Sequence, residues 1–152
     1  MLLILEKVIF LKSVSMFSEI PDESLVEVAT AVEEVNVKKG ETIFKLGDYG
    51  TSMYIIVEGK VRVHEPEQEL GVLGETEVFG ELAALDPVPR SASVTALEDC
   101  YLFRMDQSVL YDLITQHVDV ARGIIRVLCK RIRGCDALVR VLSTGVPRRD
   151  NP

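Results

Sequence analysis

A chain of 152 residues has the length of one domain and can bury a core, and 47% hydrophobic with 27% charged residues excludes a disordered chain or a disulfide scaffold. The net charge of −7 is uneven, since residues 118–152 hold eight Lys or Arg against three acids and residues 1–117 hold nine against twenty-one. An acidic body argues against nucleic acid as the main partner, because phosphate contacts need clustered positive charge. The basic C-terminal part reads as a solvated helix face or as a contact for an acidic surface.

In chain order, "MLLILEKVIFLK" is apolar but broken by Glu6 and Lys7. It lacks a signal peptide's basic start and cleavage site and is too short to span a membrane. Ile4, Val8 and Leu11 fall at i, i+4 and i+7, so an amphipathic helix docked on the domain is expected. Pro21 and Asp22 start a second helix, with Leu25, Val28, Ala29 and Val32 at helical spacing. From Val35 the period changes to two. Short strands follow, with glycine turns at Gly40 and Gly47 and a hairpin at Glu58-Gly59. Six or more such strands predict a small β-sandwich or barrel.

At Met105 the pattern turns helical again. Asp106 is the expected N-cap of a helix that turns Val109, Leu110, Leu113 and Ile114 to one side. A long helix is expected from about Val118 to Leu142. Its residues Ala121, Ile125, Leu128, Ile132, Cys135, Val139 and Leu142 form an a/d seam. That seam fits a homodimer through the helix or packing on the chain's own barrel, and Gly134 is a candidate break. The tail "STGVPRRDNP" reads as frayed or as the start of a linker.

Enzyme templates are not met. The two histidines, His64 and His117, cannot supply the metal set of a barrel oxygenase or isomerase, and His64 reads as an exposed strand residue. No GxSxG, HExxH, Walker A or GxGxxG occurs. Cys100, Cys129 and Cys135 form no CxxC pair, and a reduced, cytoplasmic setting is expected.

The informative stretch is "FGELAALDPVPRSASV", Phe79 to Val94. Gly80 permits close backbone approach, and Glu81 to Leu85 make one helical turn ended by Asp86-Pro87-Val88-Pro89. Arg90 then stands before Ser91-Ala92-Ser93-Val94, read as strand, where its guanidinium can grip two oxygens of one phosphate. Glu81 can accept from a hydroxyl. Acid and arginine together suit a ligand with a phosphate and a sugar hydroxyl. The alternative is an internal Arg90–Glu81 salt bridge that closes the turn.

The stretch resembles the phosphate-binding cassette of the cyclic nucleotide-binding domain family, with Phe79, Gly80, Glu81, Leu82, Ala83, Pro89, Arg90, Ala92 and Val94 at matching spacing. "MFSEIPDESL", "KKGETIFKLGDYGTSMYIIVEGKVRV", "DCYLFRMDQSVLYDLITQH" and "LCKRIR" extend the likeness along most of the chain. The resemblance implies a mainly β fold, a β-roll or jelly-roll (double-stranded β-helix) barrel flanked by N- and C-terminal helices. It divides the chain into an N-terminal helix (1–20), the roll with its flanking helices (21–133) and a C-terminal lid or dimerisation helix with tail (134–152). It implies a regulatory role without catalysis or cofactor, with cyclic AMP as ligand and cyclic GMP kept open because of Ser91. Arg90 would hold the cyclic phosphate, with amides from Gly80, Leu82, Ala83 and Ala92, and Glu81 would hold the ribose 2′-hydroxyl. Val61, Val63 and Val72 would face the base, and Leu138, Val139 or Leu142 would cap it.

Thr76 departs from the family's usual glycine. A domain that binds no nucleotide and serves as an interaction module is the standing alternative. About ten residues after Leu142 are too few for a helix-turn-helix, so a regulator without DNA or a piece of a larger protein, such as a transporter or helical-repeat protein, is expected.

Overall fold

The computed structural model describes residues 2–144, the side chains of Leu82 and of 135–144 excepted. Helix α1 (Ile4–Lys12), a 3-10 turn at Ser15–Phe17 and α2 (Asp22–Ala31) lead into eight strands: β1 (Glu33–Val37), β2 (Thr42–Phe44), β3 (Ser52–Glu58), β4 (Val61–Glu65), β5 (Gln68–Leu73), β6 (Val78–Phe79), β7 (Ser93–Ala96) and β8 (Cys100–Asp106). Helix α3 (Glu81–Leu85) interrupts them between β6 and β7, and α4 (Gln107–Gln116) and α5 (Val118–Thr144) close the chain. The strands form two four-stranded sheets, β1-β8-β3-β6 and β2-β7-β4-β5, and every pairing is antiparallel. This is the expected β-roll.

Alternation along β3 explains the layering. Met53, Ile55 and Val57 join the core beneath the helices, whereas Ile56 and Tyr54 face the other sheet. Strand β8 does the same, with Phe103 and Met105 toward the helices and Cys100 and Leu102 toward the second sheet. The first sheet is therefore apolar on both faces, as a middle layer must be. Phe103 is fully buried and meets Phe10 of α1 edge-on at 5.8 Å.

The amphipathic face of α1 differs from the expected one. Val8 and Leu11 are buried, but Ile4 is 40% exposed, and Lys7 takes the inner place at 8% exposure. Its ammonium reaches Glu34 on β1 at 3.0 Å and lies over the Phe103 ring, so the charge enters the core already paired. Leu25, Val28, Ala29 and Val32 are buried as the spacing predicts.

Helix α5 also departs from the seam read in the sequence. Its packed side carries Val120, Gly123 and Ile124, with Val127 and Leu128 partly buried, while Ile125 and Ile132 are each 60% exposed. Gly134 does not break the helix. Gly123 does the seating, because a Cβ there would lie 2.5 Å from the Met16 carbonyl oxygen. Asp106 precedes α4 but leaves its amides uncapped, accepting instead from the hydroxyls of Thr51 (2.9 Å) and Ser52 (3.0 Å). Among the described residues no helix is long and apolar enough to cross a membrane.

Candidate functional site

Arg90 sits in the loop between α3 and β7, since β7 begins only at Ser93 and not at Ser91 as the sequence suggests. Its position is nevertheless fixed. The Arg90 amide donates to the Asp48 carbonyl and its own carbonyl accepts from Gly47, both at 2.8 Å. That turn is closed by the Lys45 amide donating to the Asp48 carboxylate at 3.0 Å. The loop borrows rigidity from the turn before β3.

Arg90 is 6% exposed. Nη1 donates to the Gly80 carbonyl at 3.1 Å and Nη2 to the Ser52 carbonyl at 2.8 Å. The plane lies over the Phe44 ring, 4.1 Å from its centre, and Phe44 leans on Tyr54 and Phe79. Nε is buried with no partner. Burial lowers the Arg90 pKa, and the nearby Tyr54 and Asp48 raise it in part. Among the described residues no carboxylate forms a salt bridge with Arg90, so the Arg90–Glu81 pair considered above does not form.

Gly80 makes this arrangement feasible. Its φ is 78°, in the region where a side chain is strained, and a Cβ would lie 2.8 Å from Arg90 Nη1. Gly50 is as tight, with Arg90 Nη2 2.7 Å from the place of a Cβ. Two glycines thus hold the arginine in a backbone-lined slot.

Glu81 opens α3 and is 2% exposed. Its Oε1 forms an ion pair with Nη1 of Arg131 on α5, and Arg131 Nη2 donates to the Val78 carbonyl at 3.0 Å. Burial lowers the Arg131 pKa and Glu77 raises it in part. A C-terminal helix thus already touches the cassette.

These groups line one cavity of about 350 Å³, in the usual range for a small-molecule site. Gly80, Glu81, Ala83, Arg90, Ser91 and Ala92 are all on its wall, as the sequence expects. Leu82 lies in α3, but its side chain falls outside the described residues. Of the three valines expected against a base, only Val63 lines the cavity, beside Leu70, Gly71 and Leu73. Val61 is buried between the sheets and Val72 is half-exposed outside the cavity. The expected capping side chains Leu138, Val139 and Leu142, with Cys135 of the seam, also lie outside the described residues.

Three contributors are not in the sequence reading. Phe44 supplies the ring under Arg90, Ser52 acts through its carbonyl, and Arg131 arrives from α5. His64 is half-buried, with Nε2 at 2.9 Å from the Thr95 hydroxyl, away from the cavity. Among the described residues no group of three or more His, Cys, Asp and Glu could hold a metal ion.

Known proteins resemble this chain in sequence and fold. The chain is 29% identical over 140 residues to a CRP-like cAMP-activated global transcriptional regulator of Mycobacterium tuberculosis, covering 88% of this chain and 62% of that one. Among solved structures it resembles the Thermus thermophilus catabolite activator protein, with TM-score 0.79, 30% identity, and 85% of this chain and 63% of that one covered. A co-crystal structure of the regulatory domain of Toxoplasma gondii PKA with cAMP gives TM-score 0.67 at 25% identity, covering 72% and 43%. The chain thus spans less than two thirds of each of these relatives. The sequence pattern of the cyclic nucleotide-binding domain family matches residues 34–117, from β1 through α4, and so takes in every residue of the cavity wall except Arg131. This chain belongs to the cyclic nucleotide-binding domain family.

Proposed function

We propose that the chain is a regulatory module that binds a cyclic nucleotide, cyclic AMP in the first place, and signals through α5. The observation that carries this is Arg90. An arginine 6% exposed, held by two carbonyls and with a buried, unpartnered Nε, is a cation with no carboxylate partner among the described residues. Burying a charge unpaired is costly, so the vacant donors favour a ligand that brings a compact negative charge. A cyclic phosphate meets that need, with Gly80, Ala83 and Ala92 amides beside it. Two of the relatives are, by their names, activated by or crystallised with cAMP, which supports cyclic AMP, while other relatives are cGMP-dependent protein kinases. Ser91 on the cavity wall keeps cyclic GMP in the comparison.

The ribose 2′-hydroxyl would be held by Glu81, whose carboxylate Arg131 now engages. Ligand entry therefore acts on a residue of α5 directly. This is the physical link from pocket to helix, and its size is bounded by the ligand's differential affinity for the two helix positions. Ile125 and Ile132, exposed and seven residues apart, give α5 a face for a second copy. Ile132→Asp would then shift a dimer to monomer in analytical ultracentrifugation. A chain already monomeric would rule that assembly out.

The Glu81–Arg131 pair also favours a second reading, a nucleotide-free interaction module in which that contact is permanent. Calorimetric titration of the intact chain with cyclic AMP, cyclic GMP and 5′-AMP separates the two. The proposal expects micromolar or tighter binding of a cyclic nucleotide, about −8 kcal/mol, and none of 5′-AMP. Silence with all three, from a folded sample free of copurified nucleotide, leaves the interaction module.

A further inference from the structure

Behind Arg131 lies a second cavity, of about 460 Å³, that the cyclic-nucleotide reading does not use. Its polar wall is built from Ser13, Ser15 and Thr76 on one side and Arg126, Lys130 and Arg131 of α5 on the other, over a floor that includes Val14 and Val78. Glu77 is the one carboxylate on this wall, and it is engaged in its own turn, accepting from the Gly74 amide at 3.2 Å. Three cations against one acid give this cavity a charge of +2, in a chain whose net charge is −7. The first cavity, with Glu77, Glu81, Arg90 and Arg131, is neutral by the same count. Of the two, the second is therefore the stronger attractor for a free anion.

Two further features point the same way. Thr76 has φ of 72°, a conformation that a β-branched residue adopts only under strain. Glycine would make that turn without strain, and the threonine that stands there is part of the cavity wall. Two of the three cations are also available, Arg131 being paired with Glu81. The Arg126–Glu19 contact, at 3.3 Å, is between half-exposed groups and holds Arg126 weakly. Lys130 is exposed and has no ion pair among the described residues.

We propose that this second cavity binds a small phosphate-bearing anion, and that the anion and Glu81 compete for Arg131. An occupant that draws Arg131 across frees the Glu81 carboxylate, the group assigned to the ribose hydroxyl. The two ligands then help one another although both are anions. The binding half stands on the second cavity alone, whereas the coupling half rests on the cyclic-nucleotide reading of the first.

The test uses inorganic pyrophosphate and backbone amide NMR of the intact chain. Saturable shifts are expected at Ser15 and Thr76, with affinity reduced roughly tenfold or more in Lys130→Glu, a surface change outside the first cavity. Cyclic AMP affinity is then measured with and without saturating pyrophosphate in wild type and in Lys130→Glu. Competition at Arg90 is common to both proteins, so a several-fold relative gain in wild type reports the shared Arg131, and linkage requires the reciprocal gain for pyrophosphate. Shifts confined to Gly80 and Ala92, or shifts at Ser15 and Thr76 indifferent to Lys130→Glu (an adventitious ion only), overturn the site. An identical pyrophosphate effect in both proteins overturns the competition. Pyrophosphate binding without any cyclic nucleotide binding keeps the site, overturns the coupling and removes the function proposed for the first cavity.

Discussion

On the proposed function Arg90 would hold two roles with one side chain, and its substitutions need to be read with both in mind. Its bonds to the Gly80 and Ser52 carbonyls tie α3 to the start of β3, while Nε is buried without a partner. Arg90→Gln is expected to cost about 1–3 kcal/mol of stability, because two partly buried carbonyls lose the guanidinium that donates to them. Nucleotide affinity should then be measured well below the lowered melting temperature, where it is expected to vanish. Arg90→Lys keeps the charge but cannot reach two carbonyls and a phosphate at once, so it should bind weakly. An Arg90→Lys protein with unchanged affinity would mean that charge alone matters. Thr76→Gly removes backbone strain and is expected to raise stability by about 1 kcal/mol, seen as a higher urea midpoint. At this scale the sequence was informative where the motif is contiguous. Gly80, Glu81 and Arg90 are within eleven positions of one another and declare their chemistry by residue type. Ser52 acts through a main-chain oxygen, which any residue possesses, and nothing in its identity marks it.

Among the elements, α5 is where sequence and structure diverge most. The 3.5-residue repeat Ala121-Ile125-Leu128-Ile132 and the packed set Val120-Ile124-Val127 run side by side on one helix. Periodicity alone cannot tell a face that covers the roll from one turned outward, because both are apolar. Burial decides it, leaving Ile125 and Ile132 exposed. Arg131 was hidden for a related reason: it is one of five Lys or Arg between 122 and 133, and only the fold shows which reaches Glu81. The strands were legible because alternation and turn glycines agree, whereas the start of β7 was not, since Ser91 and Ala92 have the composition of the strand they precede. Gly123→Ala tests the seating of α5. The added carbon meets the Met16 backbone, so the helix must shift, at an expected cost of about 1–3 kcal/mol in thermal or denaturant unfolding. An unchanged melting temperature would show that α5 is seated by its side chains alone.

Across the whole molecule, protonation links these parts to conditions. Hydrogen bonding to Lys7 holds Glu34 below its ordinary 4.5, and the Thr51 and Ser52 hydroxyls hold Asp106 below 3.8. A carboxylate lowered in the folded state contributes stability that is fully present above its unfolded pKa and is lost as pH falls through the folded one. These two groups should therefore leave the melting temperature unchanged down to about pH 5 and lower it below the unfolded values. Asp106→Asn should flatten that acid limb; an unaltered acid profile would exclude Asp106 as a source. Tyr101 behaves in the opposite sense. Burial pushes its phenol up to about 12 from 10.0, so its contribution is complete below 10.0 and is lost as pH rises toward 12.

Gly123 against the Met16 backbone carries a further consequence. A contact between main chains offers no rotamer to adjust and no long side chain to stretch. Movement of α5 toward the N-terminal turn is blocked there by main-chain atoms, so the helix has room only to lift away. On the function proposed above, whatever reads the end of α5 would then sense motion in one direction only, away from the N-terminal turn, with the ligand setting how far the population moves from the docked position.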